Sequence, residues 1–137
     1  MHFFRLTNLT LHMQDIKNLG IWLDHSVAHL IDLDAPIQRT LITSQFTHHT
    51  REEVLHKGEN HMHHKEQQMH EAYYKELSHV ILKYDHVLLF GPTDAKKELH
   101  NYVNEDLHFK EITFDVESAD KMTDREEMAY VRKHFHP

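Results

Sequence analysis

The sequence predicts a single α/β domain of three layers, built on a mixed five-stranded sheet with the element order βββ-αβαβα. Three observations lead there. Between residues 19 and 46, three short runs rich in apolar and β-branched residues follow one another with only turn residues between them, as in an antiparallel meander. From residue 64 onward, helical and strand periodicities alternate. Such alternation demands a sheet covered by helices, and the meander adds antiparallel neighbours, so the sheet is mixed.

The elements follow in order. Leu19 to Asp24 reads as the first strand and Val27 to Leu33 as the second, with Asp24-His25-Ser26 as the hairpin turn. Ala35-Pro36 breaks the run, and Ile37 to Phe46 is the third strand, with Leu41 on one face and Ile42, Ser44 and Phe46 on the other. A helix is expected from about His64 to Tyr84, because Met69, Tyr73, Leu77, Val80, Ile81 and Tyr84 fall at steps of three and four. His86 to Phe90 is a short continuous apolar run, which suits a strand buried on both faces. That strand and the first one are expected to form the central pair.

Gly91-Pro92-Thr93-Asp94 turns the chain into a helix reaching about Asn104, with Ala95, Leu99, Tyr102 and Val103 inward. His108 to Val116 alternates Phe109, Ile112 and Phe114 with charged residues and reads as the last strand. Thr123 and Glu126 have capping-box spacing, opening a helix to about His134 with Met128, Val131 and Phe135 inward. Residues 1–18 hold Phe3, Phe4, Leu6, Leu9 and Leu11 without regular spacing. They are expected to be an N-terminal arm or an extension upstream of the natural start, too short and mixed for a signal peptide, leaving 19–137 as the domain.

Composition narrows the function. The 137 residues contain no cysteine, which excludes disulfides and thiolate metal sites and fits a reducing, cytoplasmic setting. No apolar run is long enough to cross a bilayer, so no membrane partner is expected. Fifteen Lys and Arg against 22 Asp and Glu give a net charge of −7, which argues against gripping nucleic acid by bulk electrostatics. The 17 histidines are the unusual feature, and seven of them (His48, His49, His56, His61, His63, His64 and His70) lie between residues 47 and 70. The first half of that stretch is polar and aperiodic, and reads as a long loop of the kind that carries function.

Three segments resemble a known family. They are Gly20-Ile21-Trp22-Leu23-Asp24-His25 with Ala28-His29-Leu30, then Leu89-Phe90-Gly91-Pro92 with Ala95-Lys96-Lys97-Glu98-Leu99, and then Ser118-Ala119-Asp120-Lys121-Met122-Thr123-Asp124-Arg125. Together with the element order, they resemble the middle domain of the archaeal and eukaryotic class-one peptide release factor and of its relative Pelota, in the form of small stand-alone bacterial relatives. The likeness covers about Leu19 to Phe135. It implies a fold shared with ribosomal proteins and other translational machinery, and a ribosome as partner. It also implies that the loop before the long helix enters the peptidyl-transferase centre. In release factors that loop carries Gly-Gly-Gln; here the matching region is Leu55-His56-Lys57-Gly58-Glu59-Asn60, with one glycine. Peptide release by that mechanism is therefore not expected.

On this reading the protein is a ribosome-associated translation factor of rescue, hibernation or stress type. It would present residues 48–64 to ribosomal RNA or tRNA. His56, Lys57, Gly58, Asn60 and His61 would form the tip, flanked by Arg51, His63, His64 and Lys65; histidines can stack on bases and the cations reach phosphates. No catalytic residue and no cofactor is assigned, and the oligomeric state is open.

Two other readings of the stretch stand beside this one. Its histidines could bind Zn²⁺ or Ni²⁺, since His61 and His64 stand three apart and His63, Gln67 and His70 would share a face of an early-starting helix, although no His-Glu-x-x-His motif is present. A metal-binding hydrolase using His61 to His70, or a peptidyl-tRNA hydrolase with a non-standard tip, is the enzymatic alternative. The stretch could equally be a solvated loop whose histidines do nothing. Trp22, Tyr73 and Tyr74 could stack on bases, but the spacing favours the core for Trp22 and Tyr73. A two-metal nuclease needs several carboxylates. The strand His86–Phe90 offers none within it, and Asp24 reads as a turn residue.

Overall fold

A computed structural model describes residues 16–45 and 59–137, with the backbone alone over 59–66. The strands are β1 (Asn18–Leu23), β2 (Val27–Ile31), β3 (Arg39–Thr43), β4 (His86–Gly91) and β5 (Thr113–Ser118), and the helices are α1 (Glu59–Ile81), α2 (Ala95–Asn104) and α3 (Asp124–Phe135). The sheet order is β3-β2-β1-β4-β5. β1, β2 and β3 pair antiparallel, whereas β1 with β4 and β4 with β5 are parallel, so β1 and β4 form the expected central pair.

Period-two alternation along the central strands builds two cores. Leu19, Ile21 and Leu23 of β1 join Val87 and Leu89 of β4 on one face, against Tyr73, Tyr74, Leu77 and Ile81 of α1 and Ala95, Leu99 and Val103 of α2. Trp22, Leu88 and Phe90 point to the opposite face and meet Val131 of α3. Each fully buried aliphatic side chain here stabilises the fold by roughly 1.5–3 kcal/mol. Gly20 lets α3 lie close to β1: a Cβ there would stand 2.4 Å from Val131 Cγ2.

α3 is also held by a buried polar network. Glu127 is 1% exposed although it is a carboxylate. It accepts from His29 Nδ1 on β2 at 2.7 Å and from Arg39 Nε on β3 at 3.4 Å. Arg39 also pairs with Asp124 at 3.0 Å, and the His29 ring stacks on Trp22 at 4.9 Å. The opening hairpin and the lead-in to α3, both noted above for family likeness, thus meet in one cluster. The predicted capping box is present, with Thr123 and Glu126 satisfying each other's backbone amides.

Several boundaries differ from the sequence reading. α1 starts at Glu59 rather than His64 and ends at Ile81 rather than Tyr84. Tyr84 lies in the following turn and donates to Asp32 Oδ2 at 2.7 Å. The last strand starts at Thr113, not His108, because Leu107–Phe109 form a 3₁₀ turn. Asp106 caps that turn by accepting from the His108 amide at 2.9 Å, and Phe109 plugs into the core, 5% exposed. β3 is shorter than expected; Leu41 is 55% exposed and Ile42 packs inward, as predicted for its two faces. Phe46 and residues 1–15 lie outside the described residues.

Candidate functional site

The C-terminal ends of the parallel strands β1 and β4 are where an open α/β sheet offers a crevice. Here that end is lined from three sides. Asp24, His25 and Ser26 form the β1–β2 turn, with Asp24 Oδ1 accepting from the amides of Ser26 at 2.7 Å and Val27 at 2.8 Å, which establishes it as a turn residue. His70, Tyr73 and Tyr74 come from α1, and Glu98 from the first turn of α2. β3 reaches the same end, since the Ser44 amide bonds Ser26 O at 2.8 Å.

The contacts form a collar. His25 Nε2 donates to Glu98 Oε2 at 3.1 Å, and the His25 and His70 rings stack at 5.2 Å. Tyr74 donates to Glu98 Oε1 at 2.8 Å, and Tyr73 to the carbonyl of Asp24 at 3.0 Å. Burial pushes both phenols well above their usual range, with the Asp24 charge adding to it for Tyr73 and the Glu98 hydrogen bond for Tyr74, so both remain donors. Burial works against ionising Glu98, but hydrogen bonds from Tyr74 and His25 outweigh it, and its carboxyl is held below the ordinary value.

The sign of the resulting pH dependence follows. A carboxylate depressed in the folded state contributes stability above its unfolded value of 4.5, and that stability fades as pH falls through the lower folded value. Melting temperatures measured from pH 5 down to about pH 3 should therefore fall less steeply in Glu98→Gln than in the wild type. Parallel curves would show that the collar carries no such linkage.

Above the collar stands the first part of α1. Gln67 and Gln68 are exposed, and Tyr73 is the first buried residue among the described side chains of this helix. At 1.5 Å per residue, roughly 20 Å of helix precedes it. Asn60, His61 and His63 lie on this stretch, on helical backbone rather than in the loop that the sequence suggests, and His64 and Lys65 follow on the helix as expected. Positions 63, 67 and 70 stand at i, i+4 and i+7 of one helix, the early start that their sharing a face requires. Arg51, His56, Lys57 and Gly58 lie outside the described residues. Tyr74, left open as a base-stacking residue, is 5% exposed, and Tyr73 and Trp22 are buried too, so none has a free ring face for a base.

The fold resembles that of a solved structure. The crystal structure of Pelota from Archaeoglobus fulgidus matches it with a TM-score of 0.54 at 9% sequence identity. The match covers 94% of this chain and 35% of that one, so the chain spans about a third of the Pelota chain's length. No family profile matches the sequence, and no curated protein matches it. At that identity the likeness to Pelota establishes the fold, a mixed five-stranded sheet with helices on both faces.

Sequence reasoning missed two groups. Glu98 was noted only as part of a resemblance, yet it is the acceptor that joins the collar. His86, Asp115 and His134 form, among the described residues, a grouping of ligand atoms close enough to hold a metal ion, at the other end of the sheet. They are 29 and 19 residues apart, so no local motif could have signalled them. No helix among the described residues is long and apolar enough to cross a membrane.

Proposed function

We propose that this chain is a stand-alone counterpart of the middle domain of the release-factor and Pelota family, and that it acts in the cytoplasm as a ribosome-associated translation factor. The observation that carries this reading is the match of nearly the whole chain to one part of Pelota. The position of the His-rich stretch agrees with it. β3 ends beside the collar, α1 leads into it, and the His-rich stretch lies between and within these two elements along the chain. The stretch is offered to ribosomal RNA or tRNA near the peptidyl-transferase centre. Its cations Arg51, Lys57 and Lys65 meet phosphates, and its histidines meet bases. With no Gly-Gly-Gln present, occupancy of the ribosome rather than hydrolysis of peptidyl-tRNA is the expected outcome, as in rescue, hibernation or stress response.

Co-sedimentation with ribosomes through sucrose gradients tests this. The wild type should travel with ribosomes at low salt, and association should weaken as salt rises because phosphate contacts release counterions. Deleting 50–63, or replacing Arg51, Lys57 and Lys65 together with alanine, should reduce the bound fraction roughly tenfold or more. Absence of co-sedimentation, or association untouched by both variants, sinks the proposal.

A further inference from the structure

We infer that His86, Asp115 and His134 form a binding site for a divalent transition-metal ion, with Zn²⁺ the best match, at the end of the sheet remote from the collar. The inference does not depend on the ribosomal reading.

Three elements converge there. His86 opens β4, and Asp115 lies on β5 opposite Leu88, so both point to the face that α3 covers. His134 comes down from the last turn of α3. The Nε2 atoms of His86 and His134 lie 2.5 and 2.8 Å from the same oxygen, Asp115 Oδ2. One ligand atom from each residue falls within 4.8 Å of the others.

The surrounding polar contacts bear on what this convergence can do. Nδ1 of His134 lies 3.4 Å from Glu117 Oε2, and Glu117 Oε1 accepts from Tyr130 at 2.5 Å. Burial, with the Glu117 hydrogen bond adding to it, pushes the Tyr130 phenol up to about 12, so it remains the donor. A carboxylate can only accept, and a neutral imidazole carries one N–H. When that N–H serves Glu117, Nε2 presents a lone pair to Asp115 Oδ2, and two electron-rich atoms stand in hydrogen-bond contact. A cation between them relieves this, as does the tautomer that carries its proton on Nε2. A metal ion there would be held by both imidazoles and the carboxylate at once.

The donor set fits zinc. Two imidazole nitrogens and one carboxylate oxygen, with one position left to solvent, is the ligand count of an open zinc site. Ligands about 2.0–2.1 Å from a tetrahedral ion stand roughly 3.3 Å apart, so the two contacts to Asp115 Oδ2, at 2.5 and 2.8 Å, have to open by under 1 Å. Tyr130–Glu117–His134 is then the outer chain that fixes the tautomer of a metal-bound histidine. All three ligands are half-buried, with 33%, 36% and 21% of their side chains exposed for His86, Asp115 and His134, so an ion can reach them. Burial works against ionising Asp115, but the hydrogen bonds of His134 and His86 outweigh it and hold the carboxyl below its ordinary range. Bound there, the ion ties the end of α3 to the β4–β5 edge.

The many other histidines dictate the design of the test. In untagged protein with His48, His49, His56, His61, His63 and His64 replaced by glutamine, Co²⁺ titration followed by visible absorption should give one equivalent and the intense bands of low coordination number. Zn²⁺ should displace it and raise the melting temperature. His86→Gln and His134→Gln should each weaken binding by at least roughly 100-fold, and Glu117→Gln, which leaves the ligands in place, by about 10- to 100-fold. Circular dichroism on each variant separates loss of a ligand from loss of the fold. Where His134→Gln does not fold, His86→Gln and Glu117→Gln carry the decision. Binding unchanged in these variants overturns the inference. So does absence of binding in the parent with a melting temperature that responds to pH alone, which would mark a proton-held clasp.

Discussion

Glu127→Ala is expected to lower stability by about 3–5 kcal/mol, the usual cost of removing one partner from a buried ion pair. The carboxylate lies in the interior with His29 Nδ1 and Arg39 Nε directed at it. Truncation leaves a guanidinium without its inner partner beneath α3, and it opens a void beside the His29–Trp22 stack. For a domain of this size the melting temperature should drop by 10 °C or more. Trp22 is the single tryptophan of the chain and stacks on His29, so its fluorescence reports the same site. Glu127→Gln keeps the shape and an acceptor, and should lose less. Equal melting temperatures for Glu127→Ala and wild type would mean that Glu127 does not anchor α3.

Gly91→Ala is expected to cost roughly 2–4 kcal/mol from two sources that act together. Gly91 has φ of +156°, at the margin of the region that side chains avoid, and a Cβ would sit 2.2 Å from the carbonyl oxygen of Leu23. That oxygen belongs to the backbone of β1 and cannot rotate away. The end of β4 must therefore part from the end of β1, just where the Asp24 turn and the start of α2 are placed. Chemical-denaturant unfolding should show the loss, and the His25–Glu98 contact should loosen with it. An alanine variant as stable as the wild type would contradict the close approach.

Much of this architecture was legible in the chain. The β1–β2 turn could be read because Asp24 is a good acceptor for its own following amides, and β4 because an unbroken His-Val-Leu-Leu-Phe run has no polar face to offer solvent. The capping box at Thr123 was a local device and survived intact. Failures came where local pattern and tertiary contact disagree. Ile112, Phe114 and Val116 alternate like strand residues and Phe109 extends the apolar pattern backward, but Asp106 folds the chain into a 3₁₀ turn and Phe109 is drawn into the core. The start of α1 was placed late because residues 59–63 lack an apolar face, although nothing in them forbids a helix. Nothing in the local sequence sets Glu127 apart from the other charges of α3. Only the packing of α3 across β2 and β3 reveals it as interior, and only the pairing of β4 with β5 brings His86 beside Asp115.

The register of the central ladder has a kinetic consequence. Asn18 pairs with His86 and Trp22 with Phe90, so closing β1 onto β4 joins points 68 residues apart. The meander is local by comparison and can form on its own, but it gains a neighbour for its inner edge only after α1 has been traversed. Loop-closure entropy is therefore met before the two cores repay it, and parallel pairing at this separation is slow. Until that step the apolar edge of β1 stays open, and during synthesis it waits for residues up to Gly91 to leave the ribosome.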